Sequence, residues 1–313
     1  MNNKISIAMA SYNGENYLRK QLDSLYAQTY IPDEIVVVDD CSTDNTKIIL
    51  EEYHQKYGLK YYINELTLGV NKNFEKSISL CSNDYISICD QDDVWFPHKI
   101  ETIYKKLLSI ENDLPALVSS TKIDVDANLN KIGKTIIDSK DTDSYYTTLL
   151  GHHSSGCTMM MNRALLKYIL PIPSDSKMLY DIYIGLIAAM VGNKYNIAEP
   201  LMYYRHHTSN VCGQISPEKE PFIIRLNNRY SNRYPKLVGE GRLYNMKIVA
   251  DLKSQYFIPQ RAVLYNKLLS LDRNINILEK IKIIFSIKEL TVIKRCIAIW
   301  YMIISLLFRI ILK

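Results

Sequence analysis

The feature that most limits the fold of this chain is the alternation of apolar runs and helical stripes over about its first 125 residues. The clearest strand contains Ile35–Val38, which is apolar at every position, as a parallel strand covered on both faces requires. Between such runs lie segments like Glu15–Gln28, whose apolar residues recur at the spacing of a helix. This alternation predicts an α/β fold with a mostly parallel central sheet flanked by helices.

The same pattern locates the individual elements. We predict strands at Lys4–Ala10, Glu34–Asp39, Lys60–Ile63, Tyr85–Cys89 and Ala116–Ile123, and helices at Glu15–Gln28, Thr43–Tyr57, Asn71–Leu80 and Pro97–Ile110. Further along, we expect a polar loop at Asp138–Asp143, a helix at Leu179–Val191, and two short strands at Lys194–Ile197 and Leu201–Arg205.

The last third of the chain is basic and is predicted to be helical. Phe222–Lys313 carries 17 Lys or Arg against 5 Asp or Glu, although the net charge of the whole chain is only +5. Helices are predicted at Ile275–Ile287 and Val292–Leu312. The longest uncharged run, Cys296–Phe308, has about 13 residues, whereas a membrane-spanning helix needs roughly 20. A helix lying in a membrane interface and a helix packed on protein both fit this composition, and its Ile and Leu content argues against a nucleic-acid partner.

Other sequence features exclude several classes of protein. The six cysteines contain no CxxC pair, which argues against a zinc knuckle or a disulfide framework and favours a reducing cytoplasm. The N-terminus has no signal-peptide layout, so we expect a cytoplasmic location. The loop after the first strand lacks GxGxxG, which excludes a dinucleotide-dependent dehydrogenase.

Polar side chains follow several predicted strands at the points where those strands end. Ala10–Asn13 follows the first strand, Asp39-Asp40 the second and Asp90–Asp93 the fourth, while Gly69 opens the loop before the third helix. Ligands of an open α/β sheet bind at the carboxyl ends of its strands. Carboxylates gathered there repel one another, and Mg²⁺ commonly takes one or two carboxylates together with phosphate oxygens. The acidic cluster therefore predicts a divalent-metal site beside a diphosphate, with an acidic surface turn as the alternative.

Four segments, taken together and in order, resemble the signatures of family 2 glycosyltransferases, and most closely the rhamnosyltransferase-like branch. They are Ile7–Gly14, Ile35–Asp44, Asp90–Trp95, and Tyr180–Tyr183 followed by Glu199–His207. The resemblance implies the A-type nucleotide-diphospho-sugar transferase (GT-A) fold, a Mg²⁺ or Mn²⁺ ion, and inversion at the anomeric carbon. The Gln-x-x-Arg-Trp signature of processive synthases is missing after Asp181, so transfer of one sugar per encounter is expected.

The resemblance also implies roles for individual residues. Tyr12 and Asp40 would contact the nucleoside beside Ala10, and Asn73 or its neighbour Lys72 would contact the nucleotide. Asp92 and Asp93 would hold the ribose, the diphosphate and the metal, with Asp93 the direct ligand and Asp90 completing the cluster. Asp181 would be the general base that accepts the proton of the acceptor hydroxyl.

A positive cluster after the last predicted strand could balance the leaving diphosphate, or it could be a surface loop with unrelated histidines. It consists of Arg205, His206 and His207. Cys157 is interpreted as a small buried residue without a chemical role.

Domain boundaries and substrates are also expected from the resemblance and from the basic tail. We predict a catalytic domain at 1–215, with a nucleotide-binding half at about 1–125 and an acceptor half at about 126–215, and a C-terminal helical extension at 216–313. The donor would be a dTDP- or UDP-sugar, with rhamnose favoured. The acceptor would be a glycan or polyprenyl-linked glycan. The basic tail would bind peripherally to the inner face of the cell membrane and so bring the enzyme to that acceptor.

Two other functions stay open from sequence. A nucleotidyltransferase that makes the sugar nucleotide would carry a Gly-rich, Arg-containing loop after the first strand, whereas Ser11–Asn16 has one Gly and no Arg. A catalytically silent, membrane-associated binding protein is the other possibility, and the presence of Asp93 and Asp181 argues against it.

Overall fold

The computed structural model describes residues 4–110, 114–133, 142–143, 145–149, 154–174, 178–208, 240–270 and 277–286. The chain divides into two compact units. The first is formed by Met1–Ser144 with His153–Pro217, and the second by Tyr145–His152 with Glu218–Lys313. The assignment of a nucleotide-binding half, an acceptor half and an extension to particular residues stays a prediction.

A single mixed sheet forms the centre of the first unit. In the described part of the chain its strands are β1 (Ile5–Ser11), β2 (Glu34–Asp39), β3 (Lys60–Ile63), β4 (Tyr85–Cys89), β5 (Val94–Trp95), β6 (Ala116–Val125), β7 (Thr142–Asp143), β8 (Met159–Asn162) and β9 (Asn193–Arg205). Their order is β3-β2-β1-β4-β8-β6-β9-β5, and β7 pairs with β9. The first four strands are parallel, while β8 is antiparallel to both β4 and β6.

Helices cover this sheet, as the alternating sequence pattern predicts. Those of the first unit are α1 (Leu18–Tyr26), α2 (Thr46–Tyr57), α3 (Val70–Leu80), α4 (Lys99–Leu108), α6 (Leu166–Ile169) and α7 (Tyr180–Val191). Every residue of β2 and of β4 is buried, which explains why these strands are apolar on both faces. Burying each large aliphatic side chain stabilises the fold by about 1.5–3 kcal/mol before entropy is counted.

Two predictions about the second half of the sheet are wrong in detail. The two short strands predicted at Lys194–Ile197 and Leu201–Arg205 are one continuous strand, β9, which pairs with β6 through two register shifts. The polar Ala198-Glu199 stretch lies at such a shift, so the sequence break is a bulge within the strand. Within the loop predicted at Asp138–Asp143, Thr142–Asp143 forms β7, and residues 138–141 lie outside the described residues.

The second unit is helical where the structure describes it. It contains α5 (Tyr145–Leu149), α8 (Glu240–Lys253), α9 (Pro259–Ser270) and α10 (Ile277–Ser286). The Tyr265 hydroxyl donates to the Met246 carbonyl at 2.6 Å, which ties α9 to α8. The helix predicted at Val292–Leu312 lies outside the described residues. No helix within the described ranges combines the length and apolar character needed to cross a membrane.

Candidate active site

A cavity of about 380 Å³ opens where β1, β2 and β4 end. Several predicted site residues line it together, although they come from distant parts of the chain: Ala10, Tyr12, Asp40, Asn73, Asp90, Asp92 and Asp181. Further lining residues are Ser11, Thr67, Gly69, Val70, Phe74, Gln91, Ser155, Gly156, Leu179, Tyr180 and Tyr204. Asp93, Arg205, His206 and His207 are not among the residues that line it.

Asp40 organises the loop that forms one wall of this cavity. Its Oδ1 accepts hydrogen bonds from Asn64 Nδ2 at 2.8 Å and from the Leu68 backbone N–H at 2.7 Å. Its Oδ2 accepts from the Gly69 backbone N–H at 2.9 Å. Asn73 Nδ2 donates to the Val38 carbonyl at 3.0 Å, so this amide ties α3 to the end of β2. Both predicted nucleotide contacts therefore also shape the cavity wall.

Gln91 holds the loop after β1 against the acidic motif. Its Oε1 accepts from the Tyr12 backbone N–H at 2.8 Å, and its Nε2 donates to the Tyr12 carbonyl at 2.9 Å. A Cβ on Gly14 would lie 2.4 Å from Gln91 Oε1, so a larger residue there would displace the Gln91 amide from its present position. The Tyr12 side chain is 51% exposed and is available to a ligand. Sequence reasoning missed Gln91, although its place among three aspartates was a signal.

The carboxylates of the acidic motif lie at different depths. Asp90 and Asp92 line the cavity, whereas Asp93 is fully buried. Asp93 Oδ1 accepts from the Arg205 backbone N–H at 3.1 Å, and its Oδ2 is buried without a hydrogen-bond partner. Burial, followed by the neighbouring carboxylates, raises the pKa of Asp90 to about 7 and raises that of Asp93 well above its usual range. The cluster is therefore poorly compensated by the protein's own donors.

The donor set of this cluster fits a hard divalent cation. Ligand atoms of Asp90, Asp93 and Cys157 lie within 4.8 Å of one another. Carboxylate oxygens suit Mg²⁺ and Mn²⁺. Burial and the neighbouring carboxylates raise the pKa of the Cys157 thiol well above its usual value, and a hard cation prefers the carboxylate oxygens to this sulfur. The partnerless oxygen of Asp93 is the observation that favours a cation here.

Asp181 lies at the start of α7, on the same cavity as the acidic motif. Its Oδ2 accepts from the Gly156 backbone N–H at 3.3 Å, and its Oδ1 accepts from the Ile182 N–H at 2.8 Å. Burial raises the pKa of Asp181, against the effect of these donors. The neighbouring Tyr180 hydroxyl donates to Asp90 Oδ1 at 3.3 Å, which links the start of α7 to the acidic motif. Sequence reasoning did not identify this link.

Two of the three residues of the predicted positive cluster contact the acidic motif. Arg205 Nε donates to the Asp92 carbonyl at 2.6 Å, and its guanidinium lies 4.7 Å from the Tyr17 ring centroid. His207 Nε2 lies 2.8 Å from Asp92 Oδ2. His206 Nε2 instead lies 2.9 Å from Asp124 Oδ1. Arg205 and His207 thus contact the motif itself, while His206 contacts β6.

Two lysines near the site were not predicted. Lys99 is fully buried, and its Nζ donates to the Cys157 carbonyl and lies 3.2 Å from the Trp95 ring centroid. Burial lowers the pKa of Lys99 to about 8. Lys122 is half-buried, and its Nζ lies 3.2 Å from the ring centroid of the cavity residue Tyr204. Isolated lysines carry no sequence signal that would separate them from surface lysines.

Comparisons with known proteins agree with this architecture. The dTDP-rhamnosyl transferase RfbG of Shigella flexneri is 29% identical over 219 residues, which cover 66% of this chain and 73% of that protein. The Escherichia coli UDP-Glc:alpha-D-GlcNAc-diphosphoundecaprenol beta-1,3-glucosyltransferase WfgD is 31% identical over 164 residues, 52% of this chain and 61% of that protein. The crystal structure of S. aureus TarS 1-349 in complex with UDP matches with a TM-score of 0.59 at 19% identity, covering 90% of this chain and 78% of that one.

The predicted α/β class and GT-A fold are confirmed by this structural match. The family model described as Glycosyl transferase family 2 matches residues 6–170, which is more than half of the chain. The ordered motifs, the carboxylate-lined cavity and the family match all agree, and the chain is a glycosyltransferase that belongs to family 2.

Proposed function

We propose that this glycosyltransferase moves one sugar, with inversion, from a nucleoside diphosphate donor to a glycan hydroxyl in a divalent-metal-dependent reaction. One observation carries the proposal: four carboxylates line one cavity, and none of the described residues lining it is Lys, Arg or His. The carboxylates belong to Asp40, Asp90, Asp92 and Asp181. A diphosphate needs a positive partner, so a wall of this composition fits a donor that brings a cation with it.

In this proposal the two ends of the cavity have different tasks. Ala10, Tyr12, Asp40 and Asn73 form the nucleoside end, where the exposed Tyr12 ring is available to a base. Asp90, Asp92 and Asp93 hold the metal, with Asp90 and Asp92 facing the cavity and Asp93 behind them. A bound Mg²⁺ or Mn²⁺ would neutralise charge on the departing diphosphate. Of the three residues predicted to balance the diphosphate, Arg205 and His207 take part by contacting Asp92, whereas His206 contacts Asp124 outside the cavity wall.

Asp181 supplies the base. Its carboxylate accepts the proton of the acceptor hydroxyl as the acceptor oxygen bonds to the anomeric carbon. The bond from that carbon to the diphosphate oxygen breaks on the opposite face, so the configuration inverts. The Gly156 and Ile182 N–H groups hold both oxygens of Asp181 in place, which keeps the base oriented.

The proposal also includes the donor sugar, the acceptor and a contact with the membrane surface. Rhamnose carried on dTDP is favoured by the motifs and by the similarity to RfbG, with UDP-sugars as the competing donors. A lipid-linked glycan acceptor, as named for WfgD, fits a basic tail that would rest on an anionic membrane surface.

A donor panel tests this function. The full chain is mixed with dTDP- and UDP-sugars and candidate glycan acceptors, with Mn²⁺, Mg²⁺ or EDTA, and released nucleoside diphosphate is measured. We expect release that requires acceptor and metal, and an inverted linkage in the product by NMR. Equal release with EDTA would refute the metal dependence.

Three further measurements test the alternatives and the membrane contact. Pyrophosphate released from a nucleoside triphosphate and a sugar phosphate would identify a nucleotidyltransferase. Donor binding without turnover over the whole panel, with every acceptor class, would favour a silent binding protein. Vesicles of anionic lipid that pellet the full chain but not a variant lacking Val292–Lys313 would support the membrane contact.

A further inference from the structure

The pairing of β6 with β9 is irregular around Lys122. Its pairing with β9 shifts register between Ser120 and Thr121 and again between Thr121 and Ile123. Lys122 lies within the second shift. The extra residues at both shifts belong to β9, so Lys122 lies opposite a bulged stretch of β9, a feature that is common next to active sites.

The Lys122 ammonium contacts two residues of the cavity wall. Its Nζ donates to Ser155 Oγ at 2.9 Å and lies 3.2 Å from the centroid of the Tyr204 ring. Both Ser155 and Tyr204 line the cavity that contains Asp181. A lysine held by a hydroxyl and an aromatic face has lost most of its rotamer freedom, and that loss needs compensation from attraction to nearby negative charge.

The residue after Ser155 reaches the proposed base directly. The Gly156 backbone N–H donates to Asp181 Oδ2 at 3.3 Å. A Cβ on Gly156 would lie 2.0 Å from the Tyr180 hydroxyl, so this turn is packed closely against the start of α7. The contacts therefore run from Lys122 through Ser155 and Gly156 to Asp181.

The positive charge of Lys122 also links it to the proposed base. Lys122 acts electrostatically on both Asp90 and Asp181 and is attracted to each of them. Among the described residues it is a cation placed just outside a wall that itself contains only acidic charged groups. Lys122 thus offsets part of the repulsion that would otherwise push the Asp181 carboxylate away from the acidic motif.

We propose that Lys122 is a positioning residue for sugar transfer, which holds the Ser155–Gly156 turn and thereby the Asp181 carboxylate in the orientation needed to accept the acceptor proton. This inference rests on the proposed role of Asp181 as the base. Lys122 itself does not line the cavity, so its loss is expected to slow the chemical step and leave nucleotide binding intact.

The test compares Lys122→Met with Lys122→Arg, Ser155→Ala and Asp181→Asn in the full chain. With the donor and acceptor found in the panel, we expect kcat of Lys122→Met to fall between about 10- and 100-fold while the KM for the donor and the affinity for its nucleoside diphosphate stay unchanged. Lys122→Arg keeps the charge and should recover part of kcat. The double variant Lys122→Met/Ser155→Ala should be no slower than Lys122→Met, because both changes break the same chain of contacts.

Lys106→Met is the matched control. Lys106 is also half-buried, and its Nζ lies 4.6 Å from the ring centroid of Tyr195, another tyrosine of β9, but neither residue lines the cavity. Equal kcat in Lys122→Met and Lys106→Met, with Asp181→Asn inactive, would overturn the inference alone. Full activity in Asp181→Asn would overturn the base assignment as well. A donor KM that rises with Lys122→Met at constant kcat would also contradict a positioning role.

Discussion

The imidazole of His207 lies 2.8 Å, Nε2 to Oδ2, from the carboxylate of Asp92, and this contact joins the end of β9 to the acidic motif across 115 residues of chain. Its neighbour His206 is turned towards Asp124, which does not line the cavity. The two adjacent histidines therefore contact different carboxylates, and a variant of His206 can serve as the control for a variant of His207.

We expect His207→Ala to weaken metal-dependent donor binding by about 10- to 100-fold, because an outer partner fixes the orientation of a metal-facing carboxylate. Titration with the nucleoside diphosphate of the donor found in the panel, at several Mn²⁺ concentrations, measures this loss. His206→Ala, one residue away, should change the same binding little. If the two variants bind alike, Asp92 does not depend on His207.

Asp181→Asn should lower kcat by about 100- to 10,000-fold while leaving the affinity for the donor's nucleoside diphosphate as it is, because the amide keeps the size of the side chain and cannot accept a proton as a base. Single-turnover kinetics and calorimetric binding of that nucleoside diphosphate measure the two quantities. Asp126→Asn, at a turn outside the cavity, is the control. Near-normal turnover by Asp181→Asn would remove the base from the proposal.

A divalent cation should raise the melting temperature of the protein, and more so at pH 8 than at pH 6. Burial and the neighbouring carboxylates raise the pKa of Asp90 to about 7, so protons compete with a cation below that pH. In the absence of metal, protonated Asp90 contributes stability that is complete below pH 3.8, the pKa of this group in the unfolded chain. That contribution is lost as the pH rises from 3.8 to about 7. Differential scanning fluorimetry with Mn²⁺ and with EDTA checks this, and Asp90→Asn should flatten the pH dependence. A Mn²⁺ effect that is independent of pH would contradict it.

Glu34, at the amino end of β2 and away from the cavity, should make a contribution to stability that is lost in acid. Burial favours its neutral form, yet hydrogen bonds from Lys60, Ser6 and Ser82 hold its pKa at about 2. Because this value is below the unfolded 4.5, the contribution is present above about pH 4.5 and disappears as pH falls to about 2.

Glu34→Gln should therefore lower the free energy of unfolding by about 2 kcal/mol at pH 7, and by less than half as much near pH 3. The value at pH 7 is set below the full effect of the pKa shift because the partner Lys60 is exposed and solvent screens its charge. Urea titration at both pH values measures the difference. The exposed pair of Glu101 with Lys105 provides the control, and Glu101→Gln should change stability little. A deficit of equal size at both pH values would point to packing instead of charge.

The parallel half of the sheet could be predicted because its signal is local. Strands β2, β3 and β4 begin and end where the apolar pattern places them, since every side chain of β2 and β4 is buried and a polar cluster follows each. The residues at those strand ends share one cavity for the same reason: parallel strands carry their carboxyl ends to a single edge.

Other parts of the site could not be predicted, because they depend on pairing between distant segments. The bulges that make β9 one strand exist only in the presence of β6. Gln91 and Tyr12 are 79 residues apart in sequence, and nothing in either segment alone shows that the amide fits the backbone of the other. Sequence likewise grouped Arg205 with the two histidines, whereas the contacts separate His206 from the others.

The strand β9 has a consequence for how the protein is made. It brackets the acidic motif, since Tyr203 and Met202 pair with Val94 and Trp95, and the backbone of Arg205 donates to Asp93. A nascent chain that has left the ribosome only as far as β8 holds all three aspartates of the motif and lacks the strand that fixes them. The site for the proposed chemistry can thus form only after β9 has been synthesised. A product truncated before residue 205 would keep the motif without a working site.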